Sequence, residues 1–158
     1  MLLLPILFRP TFGEAVLKDC IVFIHIWRTM ITLNKVHHIA ILSSDYEKSK
    51  AFYTTILGLK VIHEEYREER QSYKADLSLN GEYIIELFSF PNPPKRVSRP
   101  EAAGLRHLAF EVDDLTTVVE TLQKQHVLAE AIRIDETTGK RFTFIFDPDN
   151  LPIEFYEK

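Results

Sequence analysis

The chain has 158 residues, 46% of them hydrophobic and 27% charged, a balance that suits one globular domain or two small modules sharing a core. Its formal net charge of −4 argues against an electrostatic nucleic-acid binder, and no run of about 18 uninterrupted apolar residues predicts a transmembrane helix. Cys20 is the one cysteine, so an intramolecular disulfide and a thiolate metal cluster are excluded, which fits a reducing, cytoplasmic setting.

The first thirty residues stand apart. "MLLLPILF" is apolar but short, contains Pro5, and lacks a basic start and a small-residue cleavage site. Residues 1–32 read as an N-terminal extension outside the functional fold. Translation from Met30 is one explanation; a helix or strand packed on the domain or on a partner is the other.

From residue 36 the punctuation is regular, within a domain that runs from residue 33 to 158. "VHHIAILS" reads as a strand, and "DYEKSKAFYTTIL" as a helix that Asp45 caps and Gly58 stops. "LKVIHEEY", "SYKADLSL" and "YIIELFSF" read as strands, the last two joined by Asn80-Gly81, a strong hairpin signal. Pro91, Pro93, Pro94 and Pro100 mark a linker, because proline cannot donate to a ladder. The order then repeats: strand "LRHLAFEVD", helix "DLTTVVETLQKQH", and strands around "AIRIDET", "KRFTFIFD" and "LPIEFYE". "DPDN" supplies turn chemistry before the last strand. The expected architecture is α+β, a tandem of βαβββ modules over residues 33–90 and 104–158 with a linker at 91–103.

The repeat has a register. Placing His38 on His107 sets an offset of 69 residues (38 to 107), and placing Glu86 on Glu154 sets one of 68 (86 to 154). Successive strand residues face opposite ways, so only one of His37 and His38 faces inward. The alignment sets His37 against Arg106, a residue type that prefers solvent, which makes His38 the inward member. His37 is then a surface residue or a support for its neighbour.

Each module thus offers one histidine on its first strand and one glutamate on its fourth. If those strands lie side by side in a curled sheet, each His–Glu pair is a half-site. Two half-sites facing each other would give N₂O₂ ligation of a divalent cation through His38, Glu86, His107 and Glu154. Imidazole and carboxylate suit Zn²⁺, Ni²⁺ or Co²⁺, with Mn²⁺ or Fe²⁺ as further candidates. Positions left open to water or substrate would mark a catalytic site. Either one chain or a symmetric pair of chains could bring the half-sites together.

The stretches "VHHIAILSSDYEKSKAFYTTILGLKV", "YIIELFSF", "GLRHLAFEVDDL" and "FIFDPDNLPIEFYE" resemble the vicinal oxygen chelate superfamily, and within it glyoxalase I (lactoylglutathione lyase). The resemblance covers about residues 33–158 and implies a curled mixed sheet around a metal cavity, with one divalent ion per site. It places the family's metal ligands on His38, Glu86, His107 and Glu154. It also implies proton abstraction from a hemithioacetal and a metal-stabilised enediolate, with Glu154 as principal base, Glu86 as its partner, and a homodimer. Glu86 tilts the choice toward the lyase or isomerase branch. Related thiol transferases and dioxygenases typically lack that first glutamate, and some members of the fold only bind small molecules. Two positions depart from glyoxalase I: Leu42 and Phe90 stand where the family contacts glutathione with Arg and Asn. Arg67, Arg70, Lys74 and Arg141 remain as cations for a substrate anion, with Arg141 and Lys74 the preferred substrate contacts.

Overall fold

The computed structural model describes residues 31–158. The chain divides into two units, residues 1–35 and 36–158, and the expected role of Met30 and the segment before it lies outside the described residues. The larger unit holds β1 (Ile39–Ser43), α1 (Tyr46–Ala51), β2 (Lys60–Arg67), β3 (Ser72–Leu79) and β4 (Glu82–Ser89). It continues with β5 (Leu108–Val112), α2 (Leu115–Lys124), β6 (Arg133–Ile134), β7 (Arg141–Phe146) and β8 (Pro152–Glu157). This is the α+β tandem that the repeat predicts.

Each module makes its own four-stranded mixed sheet, in the order β1-β4-β3-β2 and β5-β8-β7-β6. In both, the first strand runs parallel to the fourth and the other neighbours are antiparallel. Alternation sorts each sheet into two faces. One carries Ile41, Ala75, Leu77, Ile85 and Leu87 in the first module and Ile145, Ile153 and Phe155 in the second. These join Tyr53, Leu115 and Leu122 in one buried cluster.

The local signals act as the sequence suggests. The Asp45 carboxylate accepts from the Lys48 amide and that of Asp114 from the Thr116 amide, each capping its helix. Asn80 and Gly81 both take positive φ, 53° and 85°, which a tight hairpin turn requires. Two elements differ from expectation. The first helix turns π-helical over Phe52–Ile56, where the Thr54 hydroxyl donates to the Lys50 carbonyl at 2.8 Å. β6 shrinks to two residues because Asp135 opens a turn: its backbone carbonyl accepts from Gly139 N–H and its side chain from Thr137 N–H.

The two modules are tied by a carboxylate. Asp147, 5% exposed, accepts from the Tyr53 hydroxyl at 2.9 Å and from the Leu151 and Asp149 amides. Burial pushes its pKa up, partly offset by the bonds from Leu151 and Tyr53. Asp149 adds a second tie, accepting from Ser44 N–H.

Candidate metal centre

The same topology places a histidine beside a glutamate in each module. Ala40 pairs with Glu86 across parallel strands, and His38 precedes Ala40 by two residues, so both side chains share a face. Ala109 pairs with Glu154 in the same way, with His107 two residues before it. His38 Nε2 lies 3.2 Å from Glu86 Oε2, and His107 Nε2 lies 3.0 Å from Glu154 Oε2. Both glutamates are largely sequestered, at 16% and 12% side-chain exposure.

The donor set and the spacing fit a divalent cation. Two donors bound at about 2.0–2.2 Å, at angles between square and tetrahedral, stand roughly 2.9–3.5 Å apart. The observed separations suit that geometry as well as a direct N–H···O bond. Among the described residues, however, no group of three or more His, Cys, Asp or Glu side chains gathers at one point. The chain therefore presents two separate half-sites, and the four predicted ligands meet in pairs.

The surroundings of the two pairs differ. In the first module, Lys74 Nζ lies 2.9 Å from Glu86 Oε1 and 3.0 Å from Asp76 Oδ1. Tyr83 donates to the same Asp76 oxygen at 3.0 Å and stacks on the His38 ring at 5.1 Å. The contacts close into a ring: His38, Glu86, Lys74, Asp76, Tyr83 and back to His38. The Glu86 hydrogen bond, followed by that of Asp76, holds the Lys74 ammonium above the usual lysine range. Burial and then the Asp76 bond push the Tyr83 hydroxyl up.

His37 belongs to this assembly. Its Nδ1 lies 2.8 Å from His38 Nδ1, leaving His38 Nε2 toward Glu86. A ligating imidazole is ordinarily held by a partner on its second nitrogen, and His37 provides one. In the second module Arg106 stands in that place, and His107 Nδ1 is buried without a partner.

Around Glu154 the wall is aromatic. Phe144 pairs across the strands with Glu154 and Phe142 with Tyr156, where the first module has Asp76 opposite Glu86 and Lys74 opposite Phe88. His107 meets the Phe144 ring edge-on at 5.5 Å, and the Arg133 guanidinium lies over Phe142 and Phe144. A cavity of about 130 Å³ opens beside His107 against Phe144, Arg99, Arg106 and Arg133. Among the described residues His107 is the only ion-pair partner recorded for Glu154.

The candidate substrate cations separate. Lys74 sits in the ring beside Glu86. Arg141 is on the opposite sheet face from Glu154, with its Nε 2.8 Å from one oxygen of Glu157 and its Nη2 on the other, near Thr116 and Asp114. Arg67 lies over Phe88 and Phe90 and donates to Ser72, while Arg70 ends a short 3₁₀ turn, Glu68–Arg70. Leu42 is half exposed and lines a cavity of about 280 Å³ with Ser44, Arg96, Leu105 and Asp149.

Asp76, Tyr83 and Phe144 were not singled out as site residues by sequence alone, whereas the sequence reads His37 as a surface residue or a support for His38. A signal existed for two of them. Asp76 and Phe144 each lie ten residues before their module's glutamate (76 to 86, 144 to 154), so the repeat maps one onto the other.

Residues 35–155 match the model of the Glyoxalase/Bleomycin resistance protein/Dioxygenase superfamily. The chain belongs to that superfamily. It is 65% identical over 126 residues to "Uncharacterized protein YwkD" of Bacillus subtilis, which covers 80% of this chain and 98% of that one. A crystal structure of a glyoxalase family protein from Enterococcus faecalis superposes with a TM-score of 0.74 at 42% identity, covering 80% of this chain and all of that one. More distant relatives are the lactoylglutathione lyase of Schizosaccharomyces pombe, 26% identical over 80% of this chain and 48% of that one, and human mitochondrial methylmalonyl-CoA epimerase, 30% identical over 74% and 69%. Among the described residues no helix is long and apolar enough to cross a membrane.

Proposed function

We propose that this protein is a divalent-metal-dependent lyase or isomerase of glyoxalase I type, acting on a small oxygenated or thiol-conjugated substrate. The observation that carries this reading is the recurrence of one His–Glu pair, at 3.2 and 3.0 Å, in the same place in both modules. The pair is kept in both modules although the residues around it differ, Lys74 and Asp76 in one and Phe142 and Phe144 in the other. A lactoylglutathione lyase and an epimerase among the relatives lend support.

His38, Glu86, His107 and Glu154 would hold one ion of Zn²⁺, Ni²⁺ or Co²⁺ type, with Mn²⁺ or Fe²⁺ as alternatives. When bound, it supplies Lewis-acid stabilisation to negative charge developing on a substrate oxygen. Glu154 is the base that takes the proton next to the substrate carbonyl, because it lacks the ammonium that occupies Glu86. Phe142 and Phe144 keep water from that carboxylate and present an apolar wall to the substrate. Glu86, tied to Lys74, stays in place and serves as the partner carboxylate. Lys74 is the cation closest to that oxygen and the candidate for a substrate contact.

Because each chain carries two separate half-sites, a complete site takes one module from each of two chains, making the working form a homodimer. The test is metal analysis of the purified protein joined to an assay with the methylglyoxal–glutathione hemithioacetal. The expected result is one divalent ion per chain and turnover that a chelator abolishes. Leu42 and Phe90 replace the family's glutathione contacts, so a glutathione-free 2-oxo compound is assayed in parallel by solvent deuterium exchange beside its carbonyl. Protein that binds no divalent ion would contradict the reading.

A further inference from the structure

The crevice beside Glu86 holds two facing carboxylates, and an ammonium fills the space between them. Asp76 and Glu86 are cross-strand partners, so their carboxylates face each other on one side of the sheet. Two like charges in that position repel. Lys74 resolves the conflict: its Nζ reaches Asp76 Oδ1 at 3.0 Å and Glu86 Oε1 at 2.9 Å, with only 21% of the side chain exposed. It takes one oxygen from each. Glu86 is left with Oε2, the atom that faces His38 Nε2.

We propose that Lys74 is a specificity-determining residue for the metal. As a built-in cation it denies incoming ions the paired carboxylates of Asp76 and Glu86 and restricts Glu86 to ligation through one oxygen. This inference rests on the metal reading above and deepens it.

The chemistry separates cations by class. Ca²⁺ takes six to eight oxygen ligands and favours carboxylates that offer both oxygens, and Mn²⁺ also suits carboxylate-rich sites. Zn²⁺, Ni²⁺ and Co²⁺ are satisfied by few donors, with imidazole among them. With Lys74 in place the first half-site offers one imidazole nitrogen and one carboxylate oxygen, a set that suits the second group. Without it, Glu86 Oε1 becomes available and Asp76 Oδ1 keeps only the Tyr83 hydroxyl, so the site gains the oxygen donors that Ca²⁺ and Mn²⁺ seek. The second half-site has no such device. Phe142 and Phe144 occupy the positions of Lys74 and Asp76, so no second carboxylate is there to be denied.

The test is competition titration of the metal-free full chain with Zn²⁺, Mn²⁺ and Ca²⁺ by calorimetry, in wild type and variants. Lys74→Met is expected to shift the affinity ratio at least tenfold toward Mn²⁺ and Ca²⁺ over Zn²⁺. Lys74→Arg, which keeps charge and donors, is expected to retain the wild-type ratio. Should Lys74→Met fold poorly, Lys74→Gln provides the same reading, with a smaller shift in the same direction. A role confined to fold integrity would weaken all three ions equally, and that result, or an unchanged ratio, would overturn the proposal. Wild-type protein that binds none of the three ions would overturn the metal reading itself.

Discussion

The two modules share a fold and a His–Glu pair but build different surroundings for it, and in the proposed mechanism that difference separates holding from reacting. In the first module a closed ring of charged and aromatic side chains fixes His38 and Glu86, and His37 steadies the imidazole from behind. In the second, His107 and Glu154 face Phe144, with one imidazole nitrogen left unpartnered. A carboxylate fixed by an ammonium is a good anchor, and one bounded by aromatic rings is free to change partners. The residues that differ lie on β3 and β7, ten and twelve positions before each glutamate: Asp76 and Lys74 in one module, Phe144 and Phe142 in the other.

The largest expected effect breaks the comparison at the base. Glu154→Gln should lower turnover by about 10³-fold, in the range of a lost general base, while calorimetry still detects bound metal. Glu86→Gln should cost roughly tenfold in turnover, on the order of the 1.4 kcal/mol that one such factor represents. Equal losses would mean that the surroundings do not divide the roles.

Stability offers the next contrast. The turn of the second module sends Asp147 into the first, where Tyr53 donates to it, whereas the corresponding turn of the first module is Asn80-Gly81, with Leu79 at the position of Asp147. Asp147→Ala strands three donors and should cost about 2–3 kcal/mol in denaturant unfolding. Burial raises the Asp147 pKa, so the folded state binds that proton more tightly than the unfolded chain. This residue's contribution to stability is therefore greatest at low pH and declines as pH rises from the ordinary carboxylate value of 3.8 through the raised folded one. Asp147→Asn should remove that decline, visible as a flatter stability-against-pH curve relative to wild type.

A smaller effect is expected behind the imidazoles. His37→Ala removes the partner of His38 Nδ1 and should weaken Zn²⁺ binding about tenfold, the low end for loss of such a support. Arg106→Ala, at the matching place in the second module, should leave it within twofold, since His107 Nδ1 has no partner to lose. Comparable losses would erase this part of the asymmetry.

Much of this was legible in the sequence because it is periodic. The offset of 68–69 residues, the Asp45 cap and the Asn80-Gly81 turn sufficed to predict two βαβββ modules. They also gave the face on which His38, Glu86, His107 and Glu154 lie. Strand phase is blind to what happens at strand ends. His37 lies two residues before β1, beyond the reach of the ladder, so it turns its ring onto its neighbour instead of away from it. The ring through Lys74, Asp76 and Tyr83 depends on which strands are neighbours and in what register, and β3 beside β4 with a bulge near Ser78 becomes known only from the fold. Arg141 shows the converse: a cation on a predicted strand read as a substrate contact, and the register sets it on the face opposite Glu154, beside Glu157.

The account turns on each chain carrying two half-sites that are completed by a second chain, and mixing two crippled variants tests this directly. His38→Ala and His107→Ala should each lose tight Zn²⁺ binding alone. Unfolded and refolded together, they form heterodimers in which one site inherits both damaged modules and the other inherits both intact ones. Random pairing should then restore tight Zn²⁺ binding to about a quarter of wild-type capacity. A mixture that binds no more tightly held Zn²⁺ than either variant alone would contradict the shared site.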